Sequence, residues 1–232
     1  MRKLLDLIFP PKCPFCGEIL EHKMPVCAGC FEALPFIGEK ACQKCGTALG
    51  EFSHDLCRVC RNTKRYFDKV LVPLEYSDDA RASIVRFKHY SHPSYAHAFA
   101  FLIADKLMRT EEFVSGFDFI TYVPQSPKSR RNRGYNQAYL LAKELSGMLS
   151  LPLVDALIRT DDGEVQKTLN ARQRQENVKR CFFARDISLC GTALLIDDVF
   201  TTGSTASHCS HLLKKMGCKK VYVAVCAIRT LE

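Results

Sequence analysis

The chain has 232 residues, of which 47% are hydrophobic and 25% are charged, and its formal net charge is +8. This composition is that of an ordinary globular protein, and it excludes a collagen-like fibre, a coiled coil and a wholly disordered chain. The longest apolar run that contains no tyrosine or cysteine covers residues 98–104, which is far too short to cross a bilayer.

The first ten residues contain a short apolar stretch, residues 4–9 (LLDLIF), which Asp6 interrupts and Pro10 and Pro11 end. This pattern does not resemble a secretory signal peptide, and it predicts a short docking helix instead. Without a leader we expect a cytoplasmic protein, in a reducing compartment where disulfides are rare.

Eight of the thirteen cysteines lie in the first 60 residues, in four C-x-x-C pairs that form two tandem units repeating after 29 to 30 residues. Four thiolates satisfy a tetrahedral Zn²⁺ ion, so we expect two structural zinc sites, each closed by one repeat unit. Interleaved pairs would also supply four donors, and four disulfides are the alternative that a reducing compartment disfavours. The expected ligands are Cys13, Cys16, Cys27 and Cys30 for one ion, and Cys42, Cys45, Cys57 and Cys60 for the other.

A polar stretch at residues 61–69 follows the last C-x-x-C pair and marks a predicted domain boundary. We therefore expect a cysteine-rich module at residues 1–64 and a second domain at residues 65–232. The module is too small for a large apolar core and needs the metal ions to hold it together. The second domain is long enough to bury a core of its own.

The second domain alternates strand-like and helix-like segments. Strands are predicted at residues 70–76, 119–123, 193–199 and 220–228, and helices at residues 78–88, 95–108, 137–149 and 205–216. Apolar strands that alternate with helices predict an α/β fold with a parallel sheet covered on both faces. Residues 160–180 are polar and unpatterned, which predicts a long mobile loop with a functional role.

The most specific motif is LLIDDVFTTGST at residues 194–205. An apolar strand brings Asp197 and Asp198 to the carboxyl edge of the sheet, where open α/β sheets bind ligands. The following loop and helix start offer amides and hydroxyls to an anion, and Gly203 allows close approach. We expect a sugar-phosphate site, with the ribose hydroxyls on the two carboxylates. The phosphate is expected on Thr201, Thr202, Gly203, Ser204 and Thr205.

This motif resembles the ribose-5-phosphate signature of the type I phosphoribosyltransferases. Further segments are similar to the ComF/GntX competence-protein family, and together with the cysteine module they extend the resemblance over almost the whole chain. These segments are residues 86–88 (RFK), 123–125 (VPQ), 130–137 (RRNRGYNQ) and 166–169 (QKTL), with Arg172 and Asn177.

The resemblance implies a type I phosphoribosyltransferase-like domain behind a double zinc ribbon. It implies binding of phosphoribosyl pyrophosphate with Mg²⁺, a phosphoribosyltransferase activity, and a role in DNA uptake beside other proteins of the uptake machinery. Pro124 and Gln125 match the family's pyrophosphate loop in position. The candidate catalytic residues are Asp197, Asp198, Lys167, Arg131 and Arg133.

The basic residues also suit a second function. Lys128, Arg130, Arg131 and Arg133 lie within six positions beside Tyr135, and a basic groove with aromatic side chains is typical of single-stranded DNA binding. One alternative is therefore a single-stranded-DNA-binding or docking protein whose sugar-phosphate site is not catalytic, and another is a salvage-type transferase acting on a base.

Eight thiolates around two divalent ions would bring the net charge from +8 to about +4, so the placement of basic residues matters more than their total.

Overall fold

The computed structural model describes residues 10–20, 24–50, 55–89, 92–112, 116–160 and 180–229. Within these ranges the strands are β1 (Lys69–Leu71), β2 (Leu74–Glu75), β3 (Phe119–Tyr122), β4 (Leu157–Arg159), β5 (Phe182–Ala184), β6 (Thr192–Ile196), β7 (Val199–Phe200), β8 (Lys220–Ala224) and β9 (Ala227–Ile228). The helices are α1 (Ala28–Ala33), α2 (Arg58–Asn62), α3 (Asp78–His89), α4 (Tyr95–Met108), α5 (Pro127–Arg133), α6 (Gln137–Leu149) and α7 (Ser204–Lys215).

The central sheet contains four parallel strands in the order β1–β8–β6–β3. The inner strand β6 is apolar from Ala193 to Ile196 because helices cover both faces. Leu194 and Leu195, which point to opposite faces, are both fully buried. The α/β architecture with a parallel sheet is therefore confirmed.

Three strands of the central sheet break and continue in a shorter parallel sheet of order β2–β9–β7. The segments predicted as single strands at residues 70–76, 193–199 and 220–228 are each split in two. At the break after β6, Asp197 N–H donates to the Ala224 carbonyl and Cys226 N–H donates to the Asp198 carbonyl, both at 3.0 Å. The backbone thus stays hydrogen-bonded across the break, while the two aspartates lie between strand segments rather than after the last one.

Helices α3, α4 and α6 pack in one apolar cluster on one face of the sheet, and α7 packs in a second cluster on the other face. The predicted helices agree with α3, α4, α6 and α7 to within one residue at each end. None of the described helices has both the length and the apolar character needed to span a membrane.

Two further features of the second domain were not predicted. The basic run at residues 127–133 is helix α5, which Ser126 caps by accepting a hydrogen bond from Ser129 N–H at 3.2 Å, and which Gly134 ends with φ +79°. Strands β4 and β5 form an antiparallel pair that flanks the predicted loop at residues 160–180. Lys167 and Arg172 lie outside the described residues, as does the docking helix expected at residues 4–9.

The cysteine-rich module lies along the outer strands β1 and β2. Ile37 N–H donates to the Pro73 carbonyl, Glu75 N–H to the Pro35 carbonyl and Val70 N–H to the Lys44 carbonyl, each at 2.9 Å. An edge strand leaves backbone groups open, and the module covers them. The first half of the module packs into the cluster of α3, α4 and α6, and its second half packs into the cluster of α7. The module and the second domain therefore share both apolar clusters. The boundary after residue 64 remains a prediction.

Candidate functional site

The eight paired cysteines form two groups of four sulfurs, in the sequential order expected from the repeat. Within each group all four Sγ atoms lie within 4.8 Å of one another. Tetrahedral zinc with Zn–S bonds of about 2.3 Å requires sulfurs about 3.8 Å apart. Cys16 Sγ and Cys27 Sγ are 3.7 Å apart, and Cys45 Sγ and Cys57 Sγ are 3.8 Å apart. Both groups therefore fit zinc.

Backbone amides prepare one thiol of each group for metal binding. Burial alone would raise the pKa of Cys13, but hydrogen bonds from the amides of Cys16, Cys27 and Phe15 lower this pKa to about 7. The same balance lowers the pKa of Cys42 to about 7. The hydrogen bond with Cys60 and burial raise the pKa of Cys45, so a divalent cation is needed before all four thiols of a group become thiolates.

Asp197 and Asp198 lie at the carboxyl end of β6, as the sequence predicts. The Asp198 amide donates to Asp197 Oδ1 at 2.8 Å, which holds the first carboxylate against the backbone. Burial and the neighbouring Asp198 carboxylate raise the pKa of Asp197 to about 7. The pair therefore carries between one and two negative charges at neutral pH.

Lys88, at the end of α3, lies against this pair and was missed as a site residue. Its Nζ is 2.9 Å from Asp198 Oδ2, and the two side chains are 20% and 18% exposed. Burial would lower the pKa of Lys88, but the Asp198 carboxylate outweighs burial and raises it. Lys88 belongs to the RFK segment at residues 86–88 that carries part of the family resemblance, and this segment was the signal that could have identified it.

The loop after β7 turns into helix α7, where the first amide, Ser204 N–H, donates to Thr202 Oγ1 at 3.4 Å. Gly203 is the N-cap residue, with φ +71°, and no side chain caps the helix. The first amides of a helix have no partner within it, so they are available to an anion. Thr202 Oγ1 and Ser204 Oγ are 3.1 Å apart, and Thr201 is exposed. The phosphate-binding role of this loop stays a prediction.

The predicted pyrophosphate loop follows β3, which pairs with β6, so it reaches the same edge of the sheet. Val123 N–H donates to the Ile196 carbonyl at 2.9 Å, one residue before the acidic pair. With its amide oriented to satisfy both neighbours, Gln125 donates to the Tyr135 carbonyl at 2.8 Å and accepts from Arg133 Nη1 at 3.1 Å. Arg133 is therefore close to this edge of the sheet, and Pro124 is buried beneath it.

A groove of about 820 Å³ opens beside the same edge, between the loop after β3, helix α5 and the β4–β5 pair. Its lining combines four arginines with three tyrosines. These residues are Arg130, Arg131, Arg159, Arg185, Tyr122, Tyr135 and Tyr139. Arg159 also lies close enough to Asp197 to lower the pKa of that carboxyl, so the groove and the acidic pair are adjacent.

Both the cysteine-rich module and the second domain are similar to known proteins. Residues 4–61 match the family described as "Double zinc ribbon domain". Competence protein F of Haemophilus influenzae is 28% identical over 223 residues, which cover 91% of this chain and 94% of that protein. The DNA utilization protein YhgH of Escherichia coli is 28% identical, covering 89% of this chain and 91% of its own length. Competence protein ComFC of Streptococcus pneumoniae is 24% identical, with coverage of 90% and 96%.

Among solved structures, the glutamine phosphoribosylpyrophosphate amidotransferase of B. subtilis is similar with a TM-score of 0.40 and 15% identity. The similar region covers 61% of this chain but only 30% of the amidotransferase. The resemblance of this chain to the ComF/GntX competence-protein family, with a double zinc ribbon at the N-terminus, is thus confirmed over about nine-tenths of its length.

Proposed function

We propose that the C-terminal domain binds phosphoribosyl pyrophosphate together with Mg²⁺ at the carboxyl edge of the central sheet. One observation carries this proposal: the acidic pair, the uncapped start of α7 and the loop after β3 converge at the ends of the neighbouring strands β6 and β3. Two carboxylates accept hydrogen bonds from a diol, while a helix start donates to a phosphate, and a pentose phosphate presents both groups.

In this proposal, each part of the ligand contacts a different part of the site. The ribose hydroxyls donate to Asp197 and Asp198. The 5-phosphate accepts from the first amides of α7, and from the hydroxyls in the loop of residues 201–205. The pyrophosphate lies on the loop of Pro124 and Gln125, near Arg133. Mg²⁺ would bind together with the pyrophosphate and would supply neutralisation of charge on the leaving group.

A transfer reaction at this site would depend on positioning and charge. Attack at the anomeric carbon breaks its bond to pyrophosphate, which leaves with the bonding electrons. Arg131 and Arg133 are the described cations that would neutralise the departing charge, and Lys167 is a further candidate on the segment outside the described residues. The groove next to the acidic pair is where an acceptor would enter.

The biological role follows from the relatives. Competence protein F and ComFC are named for competence, and YhgH is named for DNA utilization. We therefore assign this chain to the uptake or use of DNA.

Calorimetric titration with phosphoribosyl pyrophosphate and Mg²⁺ tests whether the chain binds this ligand. We expect the wild type to bind and Asp198→Asn to bind at least about tenfold more weakly, since a hydrogen bond to a charged group is lost. Asp105→Asn, which breaks a pair with Arg109 on α4, is the matched control and should bind like the wild type. Absence of binding in the wild type refutes the proposal. Release of pyrophosphate across a panel of bases and amines separates a catalytic site from a binding site.

The groove supports a second candidate function, binding of single-stranded DNA. Its arginines can contact phosphates and its tyrosines can stack on bases. Arg130→Ala/Arg131→Ala should weaken binding and reduce the slope of log K against log salt by about 1.4, or about 0.7 per lost contact. Lys215→Ala/Lys219→Ala removes the same charge from the amino end of the sheet and serves as the control. No binding by the wild type at low salt excludes this function.

A further inference from the structure

The ion pair between Lys88 and Asp198 is unusual because it occupies a site that should be open for a ligand. Lys88 comes from α3, while Asp198 comes from the break after β6. The 2.9 Å contact uses only Oδ2 of the carboxylate. A carboxylate has two oxygens and about four acceptor sites, so Asp198 can hold the lysine and accept from a hydroxyl at the same time.

Few other charges face the acidic pair. Among the described residues, Arg159 approaches Asp197 from β4, and His89, next to Lys88 on α3, approaches Asp198. The buried thiols of Cys209 and Cys226 approach from α7 and from the break after β8. Burial raises the pKa of both thiols, so they stay neutral and supply no charge. Lys88 is thus the cation in direct contact with the pair.

Helix α3 is fixed at several points, and this fixes the position of Lys88. The Tyr135 hydroxyl donates to the Phe87 carbonyl, and Gln137 Nε2 donates to the Lys88 carbonyl at 3.3 Å. Phe87 is fully buried and packs on Phe99, with ring centroids 5.6 Å apart.

The first cysteine group holds the same helix from the other side. Ser83 Oγ donates to the Pro14 carbonyl at 2.8 Å, and Arg86 Nη2 donates to the carbonyls of Pro14 and Phe15 at 2.8 and 3.1 Å. Both carbonyls belong to the turn between Cys13 and Cys16. The double zinc ribbon therefore supports the helix that carries Lys88.

We propose that Lys88 is a positioning residue that holds the Asp198 carboxylate oriented toward a ribose diol. This inference rests on the proposed sugar-phosphate site and adds a residue that determines its specificity. Without Lys88, Asp198 loses its 2.9 Å ion pair and is free to turn. The site then loses a directed acceptor for one hydroxyl, while the phosphate contacts at α7 remain.

The test compares ribose 5-phosphate with 2-deoxyribose 5-phosphate by calorimetric titration. We expect the wild type to prefer the ribose form by about tenfold, the effect of one hydrogen bond to a charged group. Lys88→Met should reduce this preference to about threefold or less, and Lys88→Arg, which keeps the charge, should retain more of it. Lys214→Met removes an ion pair with Asp68 at the amino end of the sheet and should keep the full preference.

Circular dichroism and zinc content establish that each variant is folded, and Lys88→Gln replaces Lys88→Met if the latter does not fold. A wild type without any preference for ribose refutes the diol site itself, and this inference with it. A wild type that prefers ribose, together with a folded Lys88→Met variant that prefers it equally, refutes only the role of Lys88.

Discussion

The phosphate loop depends on one backbone conformation, and Gly203→Ala tests it. Gly203 has φ +71° at the start of α7, and a Cβ atom built there would lie 2.4 Å from Phe200 Cζ. An L-residue in this conformation costs about 1–2 kcal/mol, and crowding a packed side chain costs about 1–3 kcal/mol more. Phe200 is 4% exposed and packs edge-on against Phe67 at 5.7 Å, so its ring has little room to move away.

We therefore expect Gly203→Ala to lower the free energy of unfolding by about 2–5 kcal/mol. For a chain of this size each kcal/mol shifts Tm by about 2–4 °C, so Tm should fall by roughly 5–20 °C. Because the first amides of α7 would move, affinity for phosphoribosyl pyrophosphate should also fall by at least about tenfold. Thermal unfolding and calorimetric titration, both at one fixed zinc concentration, measure the two effects.

Gly147→Ala is the matched control. Gly147 lies within α6, is exposed and has no atom within 4 Å of a built Cβ. Alanine should stabilise this helix by about 0.5–1 kcal/mol without changing ligand affinity. If Gly203→Ala unfolds and binds like the wild type, the loop does not have the conformation on which the phosphate site rests.

Three further predictions concern metal, pH and packing. Protein purified without chelator should contain two zinc ions per chain by emission spectroscopy, and Cys45→Ser should lose one of them; a zinc content near zero in the wild type would contradict both sites. The pKa of Asp197 is raised to about 7, so the folded chain holds this proton more tightly than the unfolded chain does. Protonated Asp197 therefore contributes to stability in full below the pKa of the unfolded chain, and this contribution is lost as the pH rises through 7. Urea unfolding at pH 5 and pH 8 should show this decline in the wild type and a smaller one in Asp197→Asn; equal declines would exclude the assignment. Phe87→Ala should cost about 3–5 kcal/mol in the same assay because its side chain is fully buried, and a loss under 1 kcal/mol would show that α3 is not held as described.

Local patterns predicted much of the fold. The repeat of C-x-x-C pairs indicated which sulfurs come together, because each unit is short enough to close its own site. The helices at 95–108 and 137–149 were predicted at their observed bounds, the first from the long apolar segment that follows Ser94 and the second from its helical period. Helix α5 could also have been predicted, because Ser126, Pro127 and Gly134 are ordinary signals for a helix start and end. The basic residues between them drew attention to charge instead.

Other features of the fold could not be predicted from local sequence patterns. The strand breaks could not be predicted, because an apolar run looks the same whether it pairs continuously or changes sheets at residues 197–198. The antiparallel pair β4–β5 is only three residues on each side, and its two strands are separated by a long polar segment. The contact of the cysteine module with β1 and β2 depends on backbone groups, which every sequence has.

By itself, the sequence determined two sulfur-rich units, an alternation of strands and helices, and an acidic pair followed by a hydroxyl-rich helix start. These are properties of neighbouring residues, and short-range periodicity and spacing are enough to specify them. Only the tertiary structure decided that Lys88 pairs with Asp198, that one zinc unit packs on each face of the sheet, and that a groove with arginines and tyrosines opens beside the acidic pair. Such contacts join residues far apart in the chain, and they form because packing of the helices on the sheet brings these side chains together.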